Sequence, residues 1–101
     1  MDVSVIDATD RHRYEAYLDG DLIGFADYQV TADVMVLPHV EVLPRVEGRG
    51  LGGTLARAAL DDARRRGLRV RPLCPFVRAW IARHPDYADL VHERNQERNP
   101  S

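Results

Sequence analysis

The residues best suited to chemistry lie between positions 39 and 74. Gly48, Gly50, Gly52 and Gly53 sit directly ahead of a stretch with helical periodicity. Glycines let backbone approach a ligand with no Cβ in the way. The N-terminus of the helix behind them presents unpaired N–H groups and a partial positive charge. That combination is an anion-binding turn, and phosphate is its natural occupant. Arg49, between two of the glycines, can add a charge-assisted contact or lie solvated. Just upstream, His39 and Glu41 are two residues apart in an extended run, so their side chains emerge on one face. An imidazole beside a carboxylate suits a general base or a water relay; a structural histidine is the other reading. Cys74 closes the next extended run. A thiolate there can accept an acyl group and a thiol can protonate a leaving sulfur, whereas a small buried hydrophobe is the ordinary fate of a free cysteine.

Three readings compete for the glycine loop. Gly48-x-Gly50-x-x-Gly53 satisfies the dinucleotide fingerprint. That fingerprint follows a first parallel strand and needs an acid at the end of the next one. Here three extended runs precede the loop, and the following strand offers Arg69 and Arg71. A nucleotide P-loop requires a lysine, and all fourteen basic residues are arginine, so that reading is excluded. A glycine-rich helix entry with no ligand stays open, though it leaves many glycines unexplained.

The elements that must position these groups are legible in outline. Val3 to Ile6 forms a short strand or an ordered lead-in. Arg13 to Leu18 and Leu22 to Val30 alternate on either side of Asp19-Gly20, a strong hairpin signal. Gly24 marks a bulge or a close approach, and Thr31 to Asp33 makes the next turn. Val34 to Leu43 is the third strand of the meander, and Pro38 within it predicts a bulge or a break in pairing. A helix begins near Gly50 with Leu51, Leu55, Ala58, Ala59 and Ala63 on one face, and Gly67 stops it. Asp61 with Arg65 and Asp62 with Arg66 are acid-before-base pairs at i,i+4 on its polar side. Arg64 to Arg66 lie at the negative end of the helix dipole, which explains them without nucleic acid. Leu68 to Leu73 reads as a strand reached through that helix, hence parallel to a neighbour. Pro75 opens a second helix through Arg83, with Phe76, Trp80 and Ile81 as core or interface rather than cofactor stacking. His84 caps its end, and Tyr87 to Val91 adds one short turn. The fold class is α+β with a mixed sheet: one domain over 1–91, then a polar tail over 92–101 expected to fray.

With 101 residues there is room for a single core, and 45% apolar with 30% charged residues is ordinary for a globular domain. A net charge of −2 gives no global pull towards nucleic acid or an anionic membrane. No apolar run approaches spanning length and no signal peptide is visible. One cysteine makes no internal disulfide. The expectation is a cytoplasmic domain without a metal.

Arg45-x-x-Gly48-x-Gly50 resembles the [Q/R]-x-x-G-x-[G/A] signature of the GCN5-related N-acetyltransferases. Four further blocks resemble a small subgroup of about a hundred residues, the YjdJ-type acetyltransferases: His39 to Val42, Glu47 to Gly52, Pro72 to Val77, and Arg83 to Val91. Members of that subgroup carry Thr where this chain has Val40, so a hydroxyl is absent. The resemblance implies a minimal version of that family's fold and acetyl-CoA as cosubstrate, with an amine as acceptor. It implies that backbone groups from Arg45 through Gly48, Arg49, Gly50, Leu51, Gly52 and Gly53 cradle the pyrophosphate. Val42 and Leu43 would pair with the pantetheine arm. His39, Glu41, Cys74 and Tyr87 become the catalytic candidates, Cys74 across the sheet splay from the thioester and Tyr87 as an alternative acid for the departing thiolate. The larger relatives carry extra helices and a hairpin that shape the acceptor site, so this chain's acceptor side is expected to be open or completed by another chain, in a monomer or weak homodimer. A CoA-binding module without turnover is the alternative, and a non-catalytic interaction domain a third.

Overall fold

Asp19 and Gly20 both take left-handed backbone, with φ of 52° and 85°. This is the pair of conformations that a two-residue hairpin matched to strand twist requires. They join β2 (Arg13–Leu18) to β3 (Asp21–Thr31) in the computed structural model, which describes residues 2–92. The N-terminal run is a full edge strand, β1 (Val3–Ala8), paired antiparallel to β2 from Val3↔Leu18 to Ala8↔Arg13. A tight turn at Thr9–Arg11 links the two.

Gly24 marks both a bulge and a close approach. The β2–β3 register slips between Ala16 and Tyr17, opposite Gly24 and Leu22. A Cβ on Gly24 would lie 2.8 Å from the Glu41 carbonyl oxygen. β4 (Val34–Val42) runs antiparallel to β3 and slips at Pro38: Gln29 pairs with Val36, but Asp27 pairs with His39. Proline has no N–H to give the ladder, so the extra residue falls there. The slip resets the alternation. Met35 and Leu37 are buried on one side of the bulge, and Val40 and Val42 pack on the same core beyond it. His39 and Glu41 therefore face the other way.

α1 (Leu51–Arg65) buries Leu51, Leu55, Ala56, Ala59, Leu60 and Ala63. Ala56 and Leu60 complete the stripe, while Ala58 sits on its flank. On the polar side one expected pair forms, Asp62 with Arg66, and the other, Asp61 with Arg65, does not. Asp62 is buried, accepting from the Tyr14 hydroxyl at 2.5 Å, and Arg65 pairs with it rather than with Asp61. Arg66 also reaches Asp62, at 3.5 Å. Burial and the Asp62 hydrogen bond push the Tyr14 phenol well above its ordinary range. Gly67 has φ 72° and the Leu68 N–H returns to Ala63 at 2.8 Å, the left-handed helix stop.

β5 (Arg69–Pro72) pairs parallel to Val34–Leu37 of β4, giving a mixed sheet in the order β1-β2-β3-β4-β5. α2 (Pro75–Arg83) follows, ended by His84, whose ring contacts the Trp80 carbonyl at 2.7 Å. A 3-10 turn spans Pro85–Leu90. Val77, Trp80, Ile81, Tyr87 and Leu90 join the same buried cluster as α1. Both helices thus lie on one face of the sheet, and among the described residues no helix covers the other. The tail expected to fray lies, beyond His92, outside the described residues. No described helix is long and apolar enough to cross a membrane.

Candidate active site

β4 outruns its parallel neighbour. The Leu37 carbonyl accepts the N–H groups of both Leu73 (3.1 Å) and Cys74 (3.0 Å), and pairing ends there. From Pro38 to Val42, β4 has β3 on one side and no strand on the other. The Leu43 N–H donates to Ile23 at 2.9 Å, so Leu43 faces β3. By alternation the backbone groups of Val40 and Val42 face the unpaired edge. Leu43 itself is engaged on both counts, since its carbonyl accepts from Val46 at 3.0 Å.

Past a 3-10 turn at Pro44–Val46, Gly48 and Gly50 take φ of 84° and 77° with open space where a Cβ would stand. These left-handed positions bend the chain so that α1 starts end-on to the loop. Its first internal bond is Thr54 N–H to the Gly50 carbonyl at 3.1 Å, and no side chain caps the helix. The N–H groups of Leu51, Gly52 and Gly53 precede that bond and remain orphan donors. A groove of about 370 Å³ runs from this loop to the unpaired edge, lined by Val40, Val42, Val46, the loop glycines and Phe76. Arg45 is exposed and faces Asp21 at 3.8 Å. Arg49 is exposed between the two left-handed glycines.

Gly52 and Gly53 have a second reason to be glycine. A Cβ on Gly52 would lie 2.8 Å from the Phe76 ring, and one on Gly53 would lie 2.8 Å from the Trp80 indole nitrogen. They let α2 pack against the first turn of α1. Of the three residues expected in core or interface, Trp80 and Ile81 are buried, while Phe76 is 40% exposed and forms a groove wall.

Of the four catalytic candidates the structure brings two together. His39 Nε2 lies 3.0 Å from Glu41 Oε1, both side chains about half exposed on the uncovered face. The Phe25 ring stands 6.0 Å from the imidazole, and Arg13 covers Phe25 at 4.5 Å. Cys74 is buried among the helix-side core residues, its N–H held by Leu37. Tyr87 is further removed. Its hydroxyl donates to Asp61 at 2.7 Å and accepts from Arg57 at 3.3 Å. Asp61 is ten residues along α1 from Leu51, roughly 15 Å by helical rise. The hydrogen bond to Asp61 raises the phenol's pKa.

Sequence reasoning missed Glu15. It is 1% exposed although it sits on the uncovered face. Arg11 grips both carboxylate oxygens (2.8 and 2.9 Å), Arg13 adds a third bond (2.7 Å) and Tyr17 a fourth (2.8 Å). The hydrogen bonds from Arg11 above all hold its pKa down at about 2. The available signal was the spacing: Arg13, Glu15 and Tyr17 alternate along one strand and must share a face.

Residues 13–90 match the family model of the GCN5-related N-acetyl-transferase. The chain belongs to that family. Among curated relatives, the streptothricin acetyltransferase of Streptomyces lavendulae is 40% identical over 63 residues, covering 60% of this chain and 33% of the relative. The chain thus spans about a third of that relative's length. The solution structure of a GCN5-like N-acetyltransferase from Staphylococcus aureus superposes with a TM-score of 0.69 at 18% identity, covering 88% of this chain and 87% of the other, a likeness of fold. A family acetyltransferase from Brucella melitensis, solved with acetyl-CoA, gives a TM-score of 0.57 at 28% identity over 66% of this chain and 49% of its own.

Proposed function

We propose that this GCN5-related N-acetyltransferase domain binds acetyl-CoA along the 370 Å³ groove and transfers the acetyl group to an amine approaching from the uncovered face. One observation carries the reading: the glycine loop at the start of α1 and an unpaired strand edge border the same groove. The fit rests on the left-handed glycines with no atom near their missing Cβ positions, and on the orphan N–H groups of Leu51 to Gly53. Those donors suit a pyrophosphate. Val40 and Val42 offer backbone partners to an extended arm, as a strand neighbour does.

The cosubstrate supplies a thioester carbonyl. The residues of the chain handle the proton. Glu41 holds Nε2 of His39, and Nδ1 has no partner among the described residues. With Nε2–H donated to the carboxylate, Nδ1 carries the lone pair and takes the acceptor's proton as the N–C bond forms and the C–S bond breaks. That proton then passes to the departing sulfur or to solvent. The Val40 N–H, at the unpaired edge, is the backbone donor nearest the parting of β4 and β5. General-base catalysis of this kind is worth about 10²- to 10⁴-fold in rate.

A second reading, CoA binding without turnover, draws on one specific finding. Neither Cys74, which is buried, nor Tyr87, whose hydroxyl is engaged by Asp61, is poised to protonate the thiolate. Calorimetry with acetyl-CoA and a thiol-release assay with a mixed amine panel separate the two. Under the first reading H39Q and E41Q keep acetyl-CoA affinity and lose turnover. Binding with no turnover in the wild type establishes the second, and absence of binding overturns both.

A further inference from the structure

The uncovered face carries a defined set of charges around His39. Arg11 and Arg13 are engaged on Glu15, and Glu41 is engaged on His39. Asp27 pairs across the ladder with both Arg13 and His39. On β5, Arg69 donates to the carbonyls of Leu90 and Val91 at 3.4 and 2.8 Å. Arg71 is different. Its guanidinium makes no hydrogen bond or ion pair among the described residues, and its Nε is shut off from solvent without a partner. That Nε is closed to a ligand as it is to solvent, so an incoming anion meets the Nη1 and Nη2 ends, and a guanidinium with no partner in a folded protein calls for an explanation.

Its place in the sheet supplies one. Arg71 is the register partner of Val36, one step before the Leu37↔Pro72 pair where β4 and β5 part. Val70 beside it is fully buried on the helix side, so alternation puts Arg71 on the face of His39 and Glu41. His39 lies three residues beyond Val36. The bulge at Pro38 lets those three residues advance by only about two rises, so at about 3.3 Å per residue and roughly 4.8 Å between strands the Arg71 and His39 Cα atoms stand roughly 8 Å apart across the parting. A small bifunctional molecule spans that interval once both side chains reach inward.

We propose that Arg71 anchors an anionic group on the acceptor, so that the acceptor is an amine that also bears a carboxylate, of the amino-acid or peptide class. The location of its amine rests on the acetyl-transfer reading given above; the anion site does not. A guanidinium fork matches a carboxylate in two parallel bonds. Asp27 and Glu41 on the same face favour an ammonium and oppose a dianion such as phosphate. A polycationic acceptor meets Arg71 as a repulsive group. The face is built for a zwitterion.

The test is calorimetry with alanine, alaninamide and putrescine, on the protein alone and saturated with CoA. Alanine is expected to bind at least tenfold more tightly than alaninamide. R71Q is expected to erase that preference while CoA affinity and the melting midpoint stay unchanged, and R71K to restore part of it. Equal binding of alanine and alaninamide, tightest binding of putrescine, no binding of any probe, or a preference that survives R71Q each overturns the proposal. Failure to bind CoA would sink the acetyl-transfer reading, and the titration of the protein alone would still decide the anion site.

Discussion

Three glycines of the loop are glycine for three different reasons, and alanine at each should therefore behave differently. Gly53 lies inside α1, where Gly to Ala by itself gains about 0.5–1 kcal/mol. Its new Cβ, however, would sit 2.8 Å from the indole nitrogen of Trp80, a side chain 4% exposed and wedged between His84 and Tyr87. Overpacking against a ring that cannot move costs about 1–3 kcal/mol, so G53A should be destabilised by about 1 kcal/mol net. At Gly52 the obstacle is the tip of the half-exposed Phe76 ring, which can swing aside. G52A should be neutral to slightly stabilising in urea, about 0–1 kcal/mol. Because Phe76 is a groove wall, the same substitution should weaken acetyl-CoA binding by severalfold. Gly50 meets no neighbour but has φ 77°, so G50A carries about 1–2 kcal/mol of left-handed strain less the entropy gained in the unfolded chain, roughly 1 kcal/mol net. It also puts a methyl group into the cradle, and acetyl-CoA binding should fall at least tenfold. Urea unfolding and calorimetry on the three variants check this. If G53A proved as stable as G52A, or G50A bound acetyl-CoA like the wild type, the roles assigned to Trp80 and to the left-handed turn would be wrong.

Three further outcomes follow from the remaining clusters. Glu15 ionises at about 2 instead of 4.5, so its contribution is complete above pH 4.5 and is lost as the pH falls towards 2. That gap is worth at most about 3 kcal/mol, cut to roughly 1–2 because Arg11 is half exposed and screened. E15Q should therefore melt lower at neutral pH and show a flatter decline between pH 5 and 2.5; parallel curves would show that the cluster adds nothing. C74A and Y87F should keep kcat within a few fold, against losses of about 10²- to 10⁴-fold for H39Q. Intact mass after incubation with acetyl-CoA should show no adduct on Cys74, and a stoichiometric adduct would restore it as nucleophile.

Much of the backbone could be read without coordinates because its signals are local. Asp19-Gly20 demands a tight hairpin, Gly67 a helix stop and Pro38 a fault in the ladder, each through φ or a missing N–H within the residue itself. The edge strand at Val3–Ala8 was only half legible, since its pairing to β2 depends on residues up to fifteen positions away. The polar face of α1 was legible only in part for the same reason: Asp62 does meet Arg66 four residues on, but Asp61 turns to Tyr87 instead of Arg65, and Tyr14 reaches Asp62 from elsewhere in the chain.

What the sequence alone determined about the site was composition and parity. Glycines before a helix leave room and free N–H donors for an anion, and residues two apart on a strand share a face. What only the tertiary structure decided was sidedness and reach. Period-two alternation cannot say which face the helices cover. The crossover from β4 through α1 to the parallel β5 sets the side that α1 covers, and the close fit of Phe76 and Trp80 on Gly52 and Gly53 holds α2 to the same side. That choice left His39, Glu41 and Arg71 on the open face, buried Cys74, and tied the Tyr87 hydroxyl to Asp61, ten residues along α1 from Leu51.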